Sequence, residues 1–396
     1  MIRLTRTIWP IGQGAFYTEH LHTKSGVFNI VYDCGSEMLP NPPKRLRVAI
    51  DNYIDEIGSD GLNIIFISHF HSDHINGIKY LLAKANKSHP MIVMPLIGED
   101  LGIVYFIENL SEYYVTTNGD NISFDDETIS FYQKLLFSND DRFIRINHED
   151  GAKHIGLNIK SNNCPREEDW LYIPVACIDN DLTGYAQAVL SELQKKYPGI
   201  ADTLKLGEAE AIAKLEWKDI YNIIREVKKK NEFRSVNLNN MSLMLYSGIG
   251  RPMNVFENNC CDYFGRCYDY HCFRRCHHYH DRTIYPGALY TGDMEKEDAW
   301  NIVNKNLFEP YPYTRELALF QISHHGHGYG KKDSQDNKFN LNAPHFVNAR
   351  LAFCCYGSQN RYHHPDYRLL KQYFEYDIPS MGIDENTRSL IQIVHL

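Results

Sequence analysis

The stretch FISHFHSDHING, residues 66–77, crowds His69, His71, Asp73 and His74 into six positions directly after an apolar run. Imidazole nitrogens and carboxylate oxygens are the ligand atoms that divalent cations such as zinc take. Alternate side chains of an extended strand share a face, so His69 and His71 point the same way if the strand geometry continues past Ser68. Those two suit one cation. Asp73 and His74, on the turn that opens the following helix, suit a second. A loop that merely caps a helix needs one Asp and no histidines. Ligands from elsewhere in the chain are required, and two apolar runs end in candidates. LYTGDME offers Asp293, whose two oxygens could bridge a pair of cations, and ISHHGHG offers His324 and His325. That pair reads as one ligand, assigned to His325, and one neighbour. His324, His327 and His364 are the candidate proton donors to a leaving group, with His363 beside them.

The elements that must position these residues are legible in outline. FNIVYD, GLNIIFIS, MIVMPLI and YIPVACI are short apolar runs bounded by turn residues and read as strands. From His74 the spacing of Ile75, Ile78, Leu81 and Leu82 is helical, so the His/Asp cluster sits on a strand-to-helix turn of an α/β unit. Residues 184–233 read as helical with a break near Pro198 and Gly199. Residues 98–165 give no clear period. MSLMLYSG, GALYTGD, RELALFQIS, ARLAFCCYG and SLIQIVHL read as strands, and HHPDYRLLKQYFEY as a helix. No linker divides the chain, so residues 1–396 are expected to form a single domain with insertions at 98–235, partly helical, and at 252–284, rich in Cys and His.

The chain has 396 residues, 43% of them hydrophobic, enough for a full core. Its net charge of -9 gives no global basic field, so an anionic partner would need a local patch or a metal. The first residues carry no apolar signal segment, and no run of 18 apolar residues occurs, which points to a cytoplasmic protein with no membrane partner. Ten cysteines in a reducing compartment then suggest metal before disulfides.

In this order the motifs resemble the metallo-β-lactamase superfamily, most closely the branch containing the metallo-hydrolase domain of ComEC-type DNA-uptake competence proteins. The residues that carry the resemblance are Gly12-Gln13-Gly14, Asp33-Cys34-Gly35, the 69–74 string, Asn240-Met241-Ser242-Leu243, Thr291-Gly292-Asp293, His324-His325-Gly326 and His364-Pro365. The resemblance implies a four-layer αββα sandwich with the site at one edge of two sheets. It implies His69, His71, Asp73, His74, Asp293 and His325 as ligands of two Zn2+, with Mn2+ or Fe2+ as alternatives, and Asp33 as the group that orients a site histidine. Two departures stand out. The histidine that the family places before the middle strand is missing, with Asn240 near its place, and His327 stands where a serine is usual. Paired cations would leave the pocket roughly one positive charge after Asp73, Asp293 and a hydroxide are counted, and would bring bound water to a pKa of about 7. The expected activity is therefore metal-dependent hydrolysis of a phosphodiester, with nucleic acid as a substrate and Asp73 contributing to catalysis. Hydrolysis of a lactone, amide, thioester or choline-phosphate ester, or a non-catalytic metal-stabilised scaffold, are the alternatives.

Two further segments stand apart. Cys261, Cys267, Cys272 and Cys276, together with His271, His277, His278 and His280, form a candidate structural zinc site, although their spacing is not the paired zinc-ribbon pattern. Arg266, Arg274 and Arg275 alternate there with Tyr263, Phe264, Tyr268 and Phe273, which suits stacking on unpaired bases, a protein partner or a second subunit. The basic run from Arg225 to Arg234 reads as a helix C-terminus with cations set against its dipole, the alternative being a phosphate-contacting patch.

Overall fold

A computed structural model of the chain describes residues 3–23, 26–37, 41–116, 126–147, 170–177, 179–207, 209–249, 256–261, 286–330, 335–360 and 363–395. Its strands are β1 (Arg3–Ile8), β2 (Gly14–Thr23), β3 (Gly26–Ser36), β4 (Ile64–Phe66), β5 (Met91–Pro95), β6 (Phe143–Ile146) and β7 (Trp170–Ala176), followed by β8 (Leu243–Ile249), β9 (Phe256–Cys261), β10 (Ala288–Tyr290), β11 (Glu316–Gln321), β12 (Asn348–Cys355), β13 (Ser380–Ile383) and β14 (Leu390–His395). They form two sheets, in the orders β6-β5-β4-β3-β2-β1-β14-β9 and β13-β12-β11-β10-β8-β7. In the first sheet β3, β4, β5 and β6 run parallel, and in the second β10, β11, β12 and β13 do. Ligand sites in α/β folds gather outside the carboxyl ends of such strands.

Alternation along the strands builds the layers. Ile64 and Phe66 of β4 face the space between the sheets, where they meet Tyr172, Leu243, Leu245 and Phe353 of the second sheet. Ile65 and Ile67 face outward against the helices Lys44–Ile57, Ile78–Lys84 and Glu99–Thr116. On the far side, Met244, Tyr246 and Phe320 pack against Trp300, Phe339, Leu369 and Tyr373 from the helices Ala299–Val303, Lys338–Asn342 and Tyr367–Glu375. The result is the expected helix–sheet–sheet–helix sandwich.

Residues 98–235 contribute the edge strands β6 and β7, and their helices add to the cover of the first sheet. The helix Trp217–Lys229 buries Trp217, Ile220, Ile224 and Val227, a single stripe at helical spacing. The expected break near Pro198 is present: Gly199 adopts left-handed geometry between the helices Asn180–Lys196 and Ile200–Leu206. Among the described residues no helix is long and apolar enough to cross a membrane. Of the candidate structural zinc ligands, Cys261 ends β9, while Cys267, Cys272 and Cys276 lie outside the described residues, as do the aromatic and arginine positions of 263–275.

A buried ion pair joins the two layers. The Arg6 side chain (0% exposed) donates from Nε to Glu19 Oε1 at 2.7 Å, from Nη1 to Gln392 Oε1 at 2.7 Å and to the Pro286 carbonyl, and from Nη2 to the Ser247 carbonyl at 2.7 Å. Glu19 also accepts from Tyr172, Ser247 and Tyr290, at 2.9, 2.6 and 2.9 Å. Every strong donor on the pair has a partner, which is the condition under which buried charge is tolerable.

Candidate metal centre

Three chain segments meet where β4, β10 and β11 end. Beyond β4 the backbone runs through Ser68 to His74; beyond β10 lies Asp293; beyond β11 lie His324 and His325. The hydrogen bond from Leu243 N–H to the Ser68 carbonyl, 2.7 Å, ties the β4 exit to the opposite sheet. Asn109, in the helix Glu99–Thr116, donates to the Phe70 carbonyl at 2.6 Å and accepts from Ser72 N–H at 3.0 Å, pinning the loop between the histidines. Nothing in its sequence context marks Asn109 for this task.

The two glycine motifs act by leaving room. A Cβ on Gly35 would lie 2.4 Å from the Asp73 carbonyl carbon and the His74 nitrogen, and one on Gly14 would lie 2.5 Å from the Asp73 oxygen. Only bare backbone lets β2 and β3 approach the Asp73–His74 turn so closely. Backbone strain concentrates in the same place. Asp33, His324, His325 and His363 all hold positive φ, at 56°, 47°, 52° and 61°, a conformation that costs a non-glycine residue of order 1–3 kcal/mol.

Asp33 lies beneath the cluster. Its carboxylate accepts from Ser68 N–H at 2.6 Å, from Ser68 O–H at 2.7 Å and from His74 Nδ1–H at 2.8 Å. Ser68 Oγ in turn accepts from His69 Nδ1–H at 2.9 Å. His325 Nδ1–H donates to the Cys355 carbonyl at 2.9 Å. All three imidazoles thus spend Nδ1 on the protein and turn Nε2 toward Asp293. The separations are 3.2 Å from His74 to Oδ1, and 3.9 and 3.5 Å from His69 and His325 to Oδ2. His325 Nε2 is also 3.2 Å from Asp73 Oδ2, and His71 Nδ1 is 3.0 Å from His69 Nε2.

His74 Nε2, Asp293 Oδ1 and His325 Nε2 are buried yet make no hydrogen bond, although they approach other ligand atoms to 3.2 Å. Orphaned polar atoms are rare in folded proteins and call for an explanation. These converge on a common space, and two donor sets, His69/His74/Asp293 and Asp73/His74/His325, each bring their atoms within 4.8 Å of one another. Imidazole nitrogens mixed with carboxylate oxygens form the donor set of a zinc-type ion. The residues fit such ions.

The electrostatics agree. Burial works against charge on His74, but Asp293, Asp33 and Asp73 outweigh it and hold its pKa well above the ordinary histidine value. Burial lowers His69 well below that value, reinforced by His74 and His71. Burial would raise Asp73 and Asp293, yet the neighbouring imidazoles keep both ionised far below the usual carboxylate range. Asp33 is raised by burial despite His74. Three buried carboxylates, Asp33, Asp73 and Asp293, surround His74 and make a pocket that favours cations.

Beside this cluster, Glu295 Oε1 accepts from His324 Nδ1–H and His327 Nδ1–H, each at 2.5 Å. The charges and hydrogen bonds of these histidines overcome burial and hold Glu295 well below the usual range. Burial lowers His324, but Glu295 and Asp293 raise it to about 9. The His364 ring lies tilted beside both, with ring centroids 5.4 Å from His324 and 5.1 Å from His327. Burial and the neighbouring imidazoles push it down to about 2, so it is neutral at pH 7 and a weak base. Sequence reading overlooked Glu295, although it lies two positions after Asp293 in the same motif. Asn240, near the place in sequence where the family histidine is missing, donates to Asp179 Oδ2 at 3.1 Å, while the neighbouring Asn239 Nδ2 lies 3.3 Å from His324 Nε2.

No family model matches the chain, and no curated protein matches it by sequence. Solved structures resemble it. The metallo-β-lactamase fold protein YhfI from Bacillus subtilis aligns at 10% identity and a TM-score of 0.43, over 99% of both chains. A long form of RNase Z from yeast aligns at 12% and 0.35, covering 98% of this chain and 41% of that one. Unliganded yeast PDE1 aligns at 9% and 0.36 over 100% of both. The likeness is one of fold. At these scores it carries no residue role across, and it does not single out the competence-protein branch.

Proposed function

We propose that the chain is a metal-dependent hydrolase of phosphodiesters, most simply a nuclease. One observation carries the reading: His74, Asp293 and His325, delivered from the ends of three strands in two sheets, turn buried, unpartnered ligand atoms toward one space. His69, His71, Asp73, His74, Asp293 and His325 would hold paired divalent cations. When bound, such cations supply Lewis acidity and a nucleophile derived from water near neutral pH. The chain's own part is to fix the ligands. Asp33 and Ser68 orient His69 and His74, and Cys355 orients His325. His324 and His327 stand partly exposed at the mouth, where a proton can pass to a leaving oxygen. A cation-filled pocket in an acidic chain favours an anionic substrate, which speaks for phosphodiesters over lactones, amides and thioesters.

The test is incubation of the purified chain with single- and double-stranded DNA, RNA and cyclic nucleotides, with Zn2+ or Mn2+, beside Asp293→Ala. Cleavage that needs metal and disappears in the variant is expected. Absence of metal-dependent cleavage of every substrate removes the phosphodiesterase reading. Turnover of a lactone or thioester in its place would establish the alternative chemistry.

A further inference from the structure

Glu295, His324 and His327 form a third donor set, with one atom from each within 4.8 Å of the others. The two deep sets share His74, whereas this one has no residue in common with either. We propose that it is a separate divalent-cation site at the mouth of the pocket, with open positions for an anionic oxygen of the substrate.

Four observations carry it. Two imidazoles and one carboxylate are among the three-ligand sets of catalytic zinc sites, which keep a further position open. The side chains of Glu295, His324 and His327 are 18%, 22% and 17% exposed, so the open positions face solvent. The donors are held before any ion arrives. Asn237 Nδ2 donates to Glu295 Oε2, leaving Oε1 to the histidines. His327 N–H donates to the His324 carbonyl at 2.8 Å, and Asn340 Nδ2 donates to the His327 carbonyl at 2.7 Å. Supporting contacts of this kind fix ligand geometry in metal sites. Finally, the set stands next to the deep cluster, since His324 Nε2 is 3.9 Å from Asp293 Oδ2. A cation there would meet the same substrate as the deep pair.

If Glu295 only orients two histidines by hydrogen bonding, removing His327 leaves the metal count unchanged. The experiment is a Mn2+ titration of the full chain by equilibrium dialysis with elemental analysis. Mn2+ is chosen because the thiolate-rich stretch 260–276 prefers softer ions. The unaltered chain should bind three equivalents and His327→Ala two. Glu295→Gln, nearly isosteric, should also bind two, and it carries the test if His327→Ala does not fold by circular dichroism. Asp293→Ala should weaken the deep equivalents and leave the outer one. Equal counts in the unaltered chain and both outer variants overturn the inference while leaving the deep centre intact. A single equivalent that vanishes in His327→Ala upholds the outer site and sinks the proposed function. No binding at all overturns both.

Discussion

Replacing Glu19 with Gln tests how the sandwich is held together. The substitution keeps the shape but removes the charge that faces Arg6, and the Arg6 side chain has no solvent exposure. The carboxylate accepts from Arg6, Tyr172, Ser247 and Tyr290. An amide has only one oxygen to offer these donors, and its NH2 must point at at least one of them. Breaking a buried ion pair from one side costs about 3–5 kcal/mol, and the clash of donors places Glu19→Gln in the upper part of that range. A whole domain is stable by about 5–15 kcal/mol, so the loss is a large share. Arg6→Met should cost a similar amount, since it strands the carboxylate. The double variant should cost less than the sum of the singles, with a coupling energy of about 2 kcal/mol or more. The assay is a urea-unfolding double-mutant cycle followed by tryptophan fluorescence. A Glu19→Gln cost below about 1 kcal/mol, or additive singles, would refute the view that the pair fastens the sheets.

Asp33→Ala should lower deep-site cation affinity by about 10–100-fold, because His74 and, through Ser68, His69 lose their anchor; chelator competition measures it. Gly35→Ala should displace the Asp73–His74 turn and weaken the same sites, whereas Gly98→Ala, where an added Cβ meets nothing within 4 Å, should not; the two are compared in one titration. Cation affinity should rise with pH between about 6 and 8. In the ion-free protein His74 holds its proton above the ordinary histidine range, and a cation must displace it. Isothermal titration in buffers of different ionisation enthalpy would detect the released proton.

The deep half of the candidate site was readable because its residues sit at ends of apolar strands, where sequence marks both the strand and its exit. His69, His74 and Asp293 follow that rule. Glu295 and Asn109 do not: each does its work through a contact to a distant loop, and neither its type nor its spacing announces that. The helix Glu99–Thr116 escaped periodic reading for a different reason. Leu101 and the run from Ile103 to Ile107 are all buried, so no polar face alternates with an apolar one. β9, FENNCC, is too polar to read as a strand and gains its place from pairing with β14 at a sheet edge. β13 is only four residues long.

Arg6 holds the carbonyls of both Ser247 and Pro286, so one guanidinium grips the chain where it departs for residues 250–285 and where it comes back. Loop-closure cost in general grows only logarithmically with length, by about 0.6 kcal/mol for each doubling. Added length between these points, provided the pairing of β9 with β14 is kept, can therefore be accommodated without repacking the interior. Novelty in this molecule is cheapest to acquire there, and grafting a foreign module between those two anchor points is the natural way to give the scaffold a new address.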